Sequence, residues 1–293
     1  MTSSPDVAAS CVVDDVPAIW SSVVPWLATA IELARIPPSR IHVHHVCPLR
    51  PSIAGLCRAL GVPTHEIAPF DPRYPHANKI RQCSTAFGGV GRVVLTDVDV
   101  VFAGRPRFGE IRTPVAGKLV DGENPPLDIL KSVFSAAGVP LPSTSTNAYL
   151  RSRNSRVTFE TLPGNCNGGM YVIHRDQLAR VGRSWSFWAS WLIDRIDLLG
   201  RWALHVDQVS FCLAVNHLRM PISLLDEAWN FPLHIDVAGG DTEPVILHHH
   251  ARFHRRQRLR QPSAPQAREA VARVNAVVES FRRKHLSAPA PVG

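Results

Sequence analysis

Two aspartates stand one residue apart in the stretch RVVLTDVDVVF, Arg92 to Phe102. Strand side chains alternate, so Asp97 and Asp99 would share one face of a continuing strand, or splay around one ion if the strand ends between them. Carboxylate oxygens suit Mg²⁺ or Mn²⁺, which in turn hold phosphates. Solvated aspartates at a strand end are the commoner explanation of such a pair taken alone. The apolar flanks leave little water for unpaired carboxylates, and they therefore favour a metal site.

Three consecutive histidines follow the apolar segment VIL late in the chain. Strand alternation places His248 and His250 on one face and His249 on the other. Imidazole accepts Mn²⁺ alongside carboxylates, so the triplet offers a third metal ligand. A simple surface segment is the alternative interpretation.

Three further segments carry side chains suited to sugars or phosphates. NCNGGMYVI predicts a turn before a strand, where the Asn167 amide and the backbone at Gly168 can approach a ligand, although an ordinary turn explains it too. HVDQVSF places Asp207 and Gln208 near the start of a helix, where an acid also favours the helix dipole. Lys79, on a predicted helix before the aspartates, could neutralise a diphosphate or simply be solvated.

Alternating strand and helix patterns must position these residues. Four short β-branched runs alternate with helical patterns through the first hundred residues, which predicts an α/β fold with a mainly parallel sheet covered on both faces. Asp15 is the predicted N-cap of the first helix, which runs towards Ile36 with a kink at Pro25. The polar stretch 139–165 is predicted as a long connection. Ligands collect beyond the carboxyl ends of such strands, where the aspartate pair lies.

Composition limits the classes of protein that fit. The chain has 293 residues, 45% of them hydrophobic and 19% charged, which indicates a globular protein of one large or two modest domains. Its six cysteines are scattered without a CxxC pair, and no secretory signal is recognisable, so we expect a cytoplasmic protein. The signatures of P-loop proteins, dinucleotide-binding proteins and serine hydrolases are missing from the sequence.

Taken in chain order, the motifs resemble nucleotide-sugar glycosyltransferases of the GT-A fold, above all the superfamily of glycogenin and the lipopolysaccharide galactosyltransferases. The matching segments are NKI, LTDVDVVF, NGGMYVI, VDQVSF, AWNF and VILHHH, and the resemblance spans residues 8 to 256. It implies one GT-A-like domain, 1–256, with a nucleotide-binding half, 8–119, and an acceptor and metal half, 120–256. A basic linker, an amphipathic helix and a Pro/Ala-rich tail follow, 257–293.

The resemblance implies a metal-dependent hexosyltransferase that moves a sugar from a nucleotide-diphosphate donor to a carbohydrate or other hydroxyl acceptor. It implies Mn²⁺ or Mg²⁺ as cofactor, and the Asp-Gln pairing resembles the group that retains the anomeric configuration. The implied metal ligands are Asp97, Asp99 and His248, with His250 as the alternative. The implied donor-binding residues are Lys79, Asp97, Asn167, Gly168 and Arg252, and the implied catalytic residues are Gln208, Asp207 and Asn167.

Two other functions fit parts of the sequence. LTDVDVV also matches the motif of haloacid-dehalogenase-like phosphatases, in which Asp97 would be the nucleophile. The basic stretch ARFHRRQRLRQ, residues 251–261, and the net charge of +8 suit a nucleic-acid-binding protein, although the core shows no recognition motif. The same stretch could contact an anionic membrane, and a homodimer stays open.

Overall fold

A computed structural model describes residues 6–152, 155–234, 243–250, 258–262 and 264–286. The strands are β1 (Val7–Val13), β2 (Ile41–His45), β3 (Thr64–Glu66), β4 (Arg92–Asp97), β5 (Val100–Phe102), β6 (Val115–Leu119), β7 (Ser145–Ser152), β8 (Ser155–Thr161), β9 (Cys166–His174), β10 (Ile222–Leu225), β11 (Phe231–Pro232) and β12 (Ile246–His248). The α-helices are α1 (Pro17–Glu32), α2 (Pro51–Leu60), α3 (Leu127–Ala137), α4 (Arg175–Ile193), α5 (Val206–His217) and α6 (Arg268–His285). Two 3₁₀ helices matter for the site, Pro75–Ser84 and Gly200–His205.

A seven-stranded sheet in the order β10-β6-β9-β4-β1-β2-β3 forms the centre of the described structure. Strand β9 is antiparallel to β4 and β6, and every other neighbouring pair is parallel. The predicted mainly parallel α/β fold is therefore confirmed.

Helices cover both faces of this sheet, as alternation along β4 shows. Val94 packs into the apolar core formed with α1, α2 and α6, whereas Val93 and Leu95 pack into the core formed with α3, α4 and α5. The amphipathic α6 packs against α1. The predicted boundary between residues 256 and 257 lies outside the described residues, as does Arg252. In the described part of the chain, no helix is both long and apolar enough to cross a bilayer.

The run that carries the aspartates forms two strands in two different sheets, not the single fourth strand that its apolar residues suggested. Strand β4 ends at Asp97, and β5 starts at Val100 in a three-stranded sheet of order β11-β12-β5. Strand β5 pairs antiparallel with β12, which places His248 opposite Val100. The chain therefore turns between the aspartates, the case in which both can face one ion.

Two predicted connections are strands instead. Within the polar stretch 139–165, β7 and β8 form an antiparallel two-stranded sheet, so the predicted long loop is wrong. The Asn167–Gly168 segment, predicted as a turn, lies inside β9, because neighbouring strands pair with β9 at Cys166 and Met170 on either side of it.

The first helix differs from its predicted ends. Helix α1 begins after Val16, whose side chain makes no capping bond, with Pro17 in its first turn, and Pro25 lies inside it as predicted. Asp15 instead accepts a hydrogen bond from Trp20 Nε1 at 3.2 Å, so its predicted role as N-cap is wrong. The helix ends at Glu32, short of the predicted Ile36.

Candidate active site

Asp97, Asp99 and His248 converge at the junction between the two sheets. One ligand atom from each residue lies within 4.8 Å of the other two. Asp97 ends β4, Asp99 lies in the following turn, and His248 ends β12. The backbone N–H of His249 donates to the carbonyl oxygen of Asp99 at 3.0 Å, which fixes this turn against the end of β12.

The electrostatics of this group follow from burial and pairing. His248 Nε2 lies 3.4 Å from Asp99 Oδ1. Burial lowers the pKa of His248, but the Asp99 carboxylate outweighs it, so the pKa is raised. Burial also raises the pKa of Asp99, but His248 outweighs it and holds that pKa well below its usual range. Burial raises the pKa of Asp97, against the opposing effect of Lys79.

The residues present fit a hard divalent ion. Two carboxylates and an imidazole are a donor set that Mn²⁺ accepts, and carboxylates suit Mg²⁺. Among the described residues, the buried Nδ1 of His248 has no hydrogen-bond partner. That atom faces Gly169, whereas Nε2 faces Asp99, so the group offers two carboxylates and the imidazole Nε2 as ligands.

His250, the alternative metal ligand, stacks on His248 with ring centroids 3.7 Å apart. Its backbone has a φ of 48°, in the left-handed region, so the chain turns away from β12 at this residue. Burial, and to a lesser extent the neighbouring His248, lowers the pKa of His250 to about 2. His250 lines the same cavity, but it is not part of the converging group.

Lys79 is held in a cluster with two carboxylates and a backbone carbonyl, hereafter the Lys79 cluster. Its ammonium lies 2.7 Å from Asp97 Oδ1 and 3.0 Å from Asp207 Oδ2. It also donates to the Gly168 carbonyl oxygen at 2.9 Å. Burial alone would lower the pKa of Lys79, but Asp207 and Asp97 raise it above its usual range, so the lysine stays charged.

Strand β9 brings its glycines against this cluster. A Cβ at Gly168 would lie 2.9 Å from Lys79 Nζ, and one at Gly169 would lie 2.5 Å from His248 Nδ1. Asn167 donates through Nδ2 to Asp121 and accepts at Oδ1 from the Gly169 N–H at 2.9 Å. The sequence NGG is thus needed because side chains at both glycines would collide with charged or imidazole groups.

Helix α5 supplies Asp207 and Gln208 in its first turn. Gln208 Oε1 accepts from the Gly168 N–H at 2.9 Å, and its Nε2 lies 2.6 Å from His205 Nδ1. Asp207 is buried in the ion pair with Lys79. Gln208 therefore bonds to the backbone N–H of Gly168, and Asp207 shares Lys79 with the carbonyl oxygen of the same residue.

A second buried lysine was missed by the sequence analysis. Lys118 on β6 pairs with Asp121 and, at 2.7 Å, with Glu227 Oε2, and these three residues are hereafter the Lys118 cluster. Burial lowers the pKa of Lys118, but Asp121 and Glu227 outweigh it and raise the pKa. Since Asp121 also accepts from Asn167, the cluster connects to the site. A lysine inside the apolar strand VAGKLV was the available signal.

These residues line one cavity of about 420 Å³, hereafter the first cavity. Its wall includes members of both lysine clusters, the converging metal group and Asp14, which follows β1 and accepts from Asn78 Nδ2 at 2.8 Å. Asp14 was also missed by the sequence analysis. Burial raises its pKa against the opposing hydrogen bond from Asn78. The polar residues and the glycine of this wall that lie nearest the metal group and the two lysine clusters are Asp14, Lys79, Asp97, Asp99, Asp121, Asn167, Gly168, Asp207, Gln208, His248 and His250.

Comparison with known proteins shows the fold. No family model and no curated protein matches the chain. The galactosyltransferase LgtC in complex with donor and acceptor sugar analogs is 13% identical, with a TM-score of 0.55 over 96% of this chain and 97% of that chain. An active-site mutant of LgtC is 11% identical, with a TM-score of 0.52 over 96% of this chain and 97% of that chain. The predicted GT-A fold is confirmed.

Proposed function

We propose that this protein transfers a hexose from a nucleoside diphosphate sugar to an acceptor hydroxyl, with Mn²⁺ or Mg²⁺ held by Asp97, Asp99 and His248. The observation that carries the proposal is the convergence of these three side chains, within 4.8 Å, in a cavity that is also lined by Lys79, Asn167 and Gln208. The shared fold supports sugar transfer in general, because LgtC is a galactosyltransferase.

The chemistry needs charge neutralisation and orientation. Asp97, Asp99 and His248 would hold the divalent ion, which would supply the positive charge that offsets the charge developing on the departing nucleoside diphosphate. The acceptor oxygen bonds to the anomeric carbon, the bond from that carbon to the donor phosphate oxygen breaks, and the acceptor proton leaves with the diphosphate. Asn167 and Gln208 would orient the sugar by hydrogen bonds, and Gly168 lets it approach the backbone.

Lys79 supports donor binding through its charge and through Asp97. Its ammonium has three N–H donors, and Asp97, Asp207 and the Gly168 carbonyl all lie within 3.0 Å. A phosphate oxygen would therefore reach Lys79 by replacing one of these partners. Arg252 as a phosphate clamp stays a prediction.

Retention of configuration is the proposed outcome. An inverting reaction needs a carboxylate base, and Asp207 is the candidate. Its carboxylate is already paired with Lys79 at 3.0 Å, which favours a route in which a leaving phosphate oxygen takes the acceptor proton. NMR of the product gives the anomeric configuration directly, and an inverted product would overturn this part of the proposal.

The central test is a thermal-shift screen of nucleoside diphosphate sugars with Mn²⁺ or with EDTA, on wild type and Asp99→Ala. We expect metal-dependent binding of at least one donor, weakened on the order of 100-fold in the variant, since a lost ligand costs no less than a lost supporting contact. Asp197→Ala, which removes an exposed carboxylate outside the first cavity, is the matched control and should bind as wild type.

The proposal fails if no nucleotide sugar binds in a metal-dependent way, or if Asp99→Ala binds as tightly as wild type. A hydrolysis assay with a generic aryl phosphate tests the phosphatase alternative. Hydrolysis by wild type that is lost in Asp97→Ala would favour that alternative. A cytoplasmic location, contact with an anionic membrane and a homodimer stay predictions.

A further inference from the structure

A second cavity of about 360 Å³ adjoins the first. Asp121, Asn124 and His234 line both cavities, so the two share a wall. A molecule in the second cavity would lie next to a donor sugar in the first. Its other lining residues include Glu123, Arg201 and Trp202.

The 3₁₀ helix Gly200–His205 contributes to both cavities. Arg201 and Trp202 line the second cavity, whereas Leu204 and His205 line the first. The helix runs directly into α5, which begins at Val206 and carries the residues proposed for the chemistry. Because the segment is short, a ligand against Trp202 is held close to that helix start.

The chemistry of the second cavity suits an uncharged polar ligand with an apolar face. Trp202 is half-buried, and the Arg201 guanidinium lies 4.8 Å from its ring centroid, so the pair forms a flat amphipathic surface. Arg201 brings one positive charge and Glu123 one negative charge. The Asp121 carboxylate is already engaged by Lys118 and Asn167. The balance of charge disfavours a phosphorylated ligand, and a sugar ring offers both C–H faces and hydroxyl groups.

We propose that the second cavity binds the acceptor, and that the acceptor is an uncharged sugar whose ring packs against Trp202 while its hydroxyls bond to Arg201 and Glu123. This inference rests on the proposed function, because it assumes a donor sugar in the first cavity. It narrows the acceptor class from any hydroxyl compound to a neutral glycoside.

The test compares transfer with hydrolysis of the donor identified in the screen. The probes are neutral methyl hexosides, with hexose 6-phosphates as charged counterparts. Trp202→Ala should raise the KM for a methyl hexoside about tenfold and lower the ratio of transfer to hydrolysis, and Trp202→Phe should keep part of both. Trp191→Ala is the matched control, because Trp191 is also half-buried under an arginine, Arg195, at 4.8 Å, yet lines neither cavity.

Each outcome of this test either supports or overturns the inference. The inference is overturned if Trp202→Ala keeps the wild-type KM, if hexose 6-phosphates are better acceptors than methyl hexosides, or if wild type hydrolyses its donor but transfers to no methyl hexoside. Thermal melting of each variant separates misfolding from a lost contact, and Arg201→Gln, which should also raise the KM, keeps the test valid if Trp202→Ala does not fold. A protein that neither binds nor hydrolyses any nucleotide sugar contradicts the proposed function instead.

Discussion

The Lys79 cluster and the Lys118 cluster repeat one arrangement, a buried lysine between two carboxylates, in different surroundings. The side chain of Lys79 is 8% exposed and lines the first cavity, and its partner Asp97 is 33% exposed. The side chain of Lys118 is 2% exposed, and its partner Asp121 is 7% exposed. The Lys79 ammonium therefore lines the space where a ligand would bind, whereas Lys118 lies behind Asp121, which lines that space.

Because the pairing is the same in both clusters, the difference in exposure decides whether a buried lysine contributes mainly to activity or mainly to stability. Removing two charges from water costs several kcal/mol, and the pairing offsets this only if the geometry is good. The Lys118 charge reaches the cavity only through Asp121 and Asn167. We therefore expect Lys118 to matter most for stability and Lys79 to matter most for activity.

The largest expected effect is on the stability of Lys118→Met. The variant leaves two carboxylates near each other with no cation, and breaking a buried pair in this way costs about 3–5 kcal/mol of unfolding free energy. Urea denaturation measures it. Adding Glu227→Gln removes one of the orphaned charges and should recover part of the loss. A loss below about 1 kcal/mol would place Lys118 among ordinary surface charges and remove the contrast.

Lys79→Met should affect activity more than stability. Loss of an oriented charge in an active site lowers kcat about 10²–10³-fold. The destabilisation should be smaller than in Lys118→Met, because Asp97 is more exposed than either partner of Lys118 and can be rehydrated. It should not vanish, because the other partner of Lys79, Asp207, is buried. Single-turnover rates beside urea denaturation measure both, and an equal activity loss in the two lysine variants would contradict the division of roles.

Gly168→Ala tests the close approach of β9 to the Lys79 cluster. The new methyl group would lie 2.9 Å from Lys79 Nζ and 3.0 Å from Asp207 Oδ2. Such overpacking costs about 1–3 kcal/mol. Gly88→Ala is the control, since no atom lies within 4 Å of a Cβ there. If both variants melt at the wild-type temperature, the cluster is looser than the distances indicate.

The smallest effect expected is a dependence on pH that comes from two histidines of β2, which lie outside both lysine clusters. Burial, and to a lesser extent His65, lowers the pKa of His42 to about 4 and that of His44 to about 3. The unfolded chain binds protons below pH 6.5 while these folded histidines do not, so their contribution to stability is complete above pH 6.5 and is lost as the pH falls.

His44→Gln should therefore flatten the loss of stability between pH 7.5 and pH 5.5, whereas His285→Gln, at the end of α6, should not. Urea denaturation at the two pH values measures this, and a wild-type slope in His44→Gln would contradict it.

Local patterns predicted much of the fold and part of the site. The strand before Asp97 and the strand that leads to His248 were predicted from apolar residues adjacent in sequence. The structure contains both strands. The end of β4 at Asp97 could not be predicted, because β5 exists only by pairing with the distant β12. Lys118 was missed although it is a charge in an apolar strand, because its partner Glu227 lies far along the chain.

The missed strands β7 and β8 have the same cause. Serine, threonine and asparagine dominate this region and are typical of turns. The two strands form backbone hydrogen bonds with each other, and composition alone does not predict this pairing. Strands and helices that local periodicity defines were thus easier to predict than strands that exist only by pairing with another segment.

The turn between β4 and β5 has a mechanical consequence. Asp97 belongs to the seven-stranded sheet, whereas His248 belongs to the three-stranded sheet. A divalent ion bound by both would act as a crosslink between two separately hydrogen-bonded layers. Since binding to the folded state alone stabilises it, ion occupancy would tighten the joint between the layers and slow amide exchange in β5 and β12.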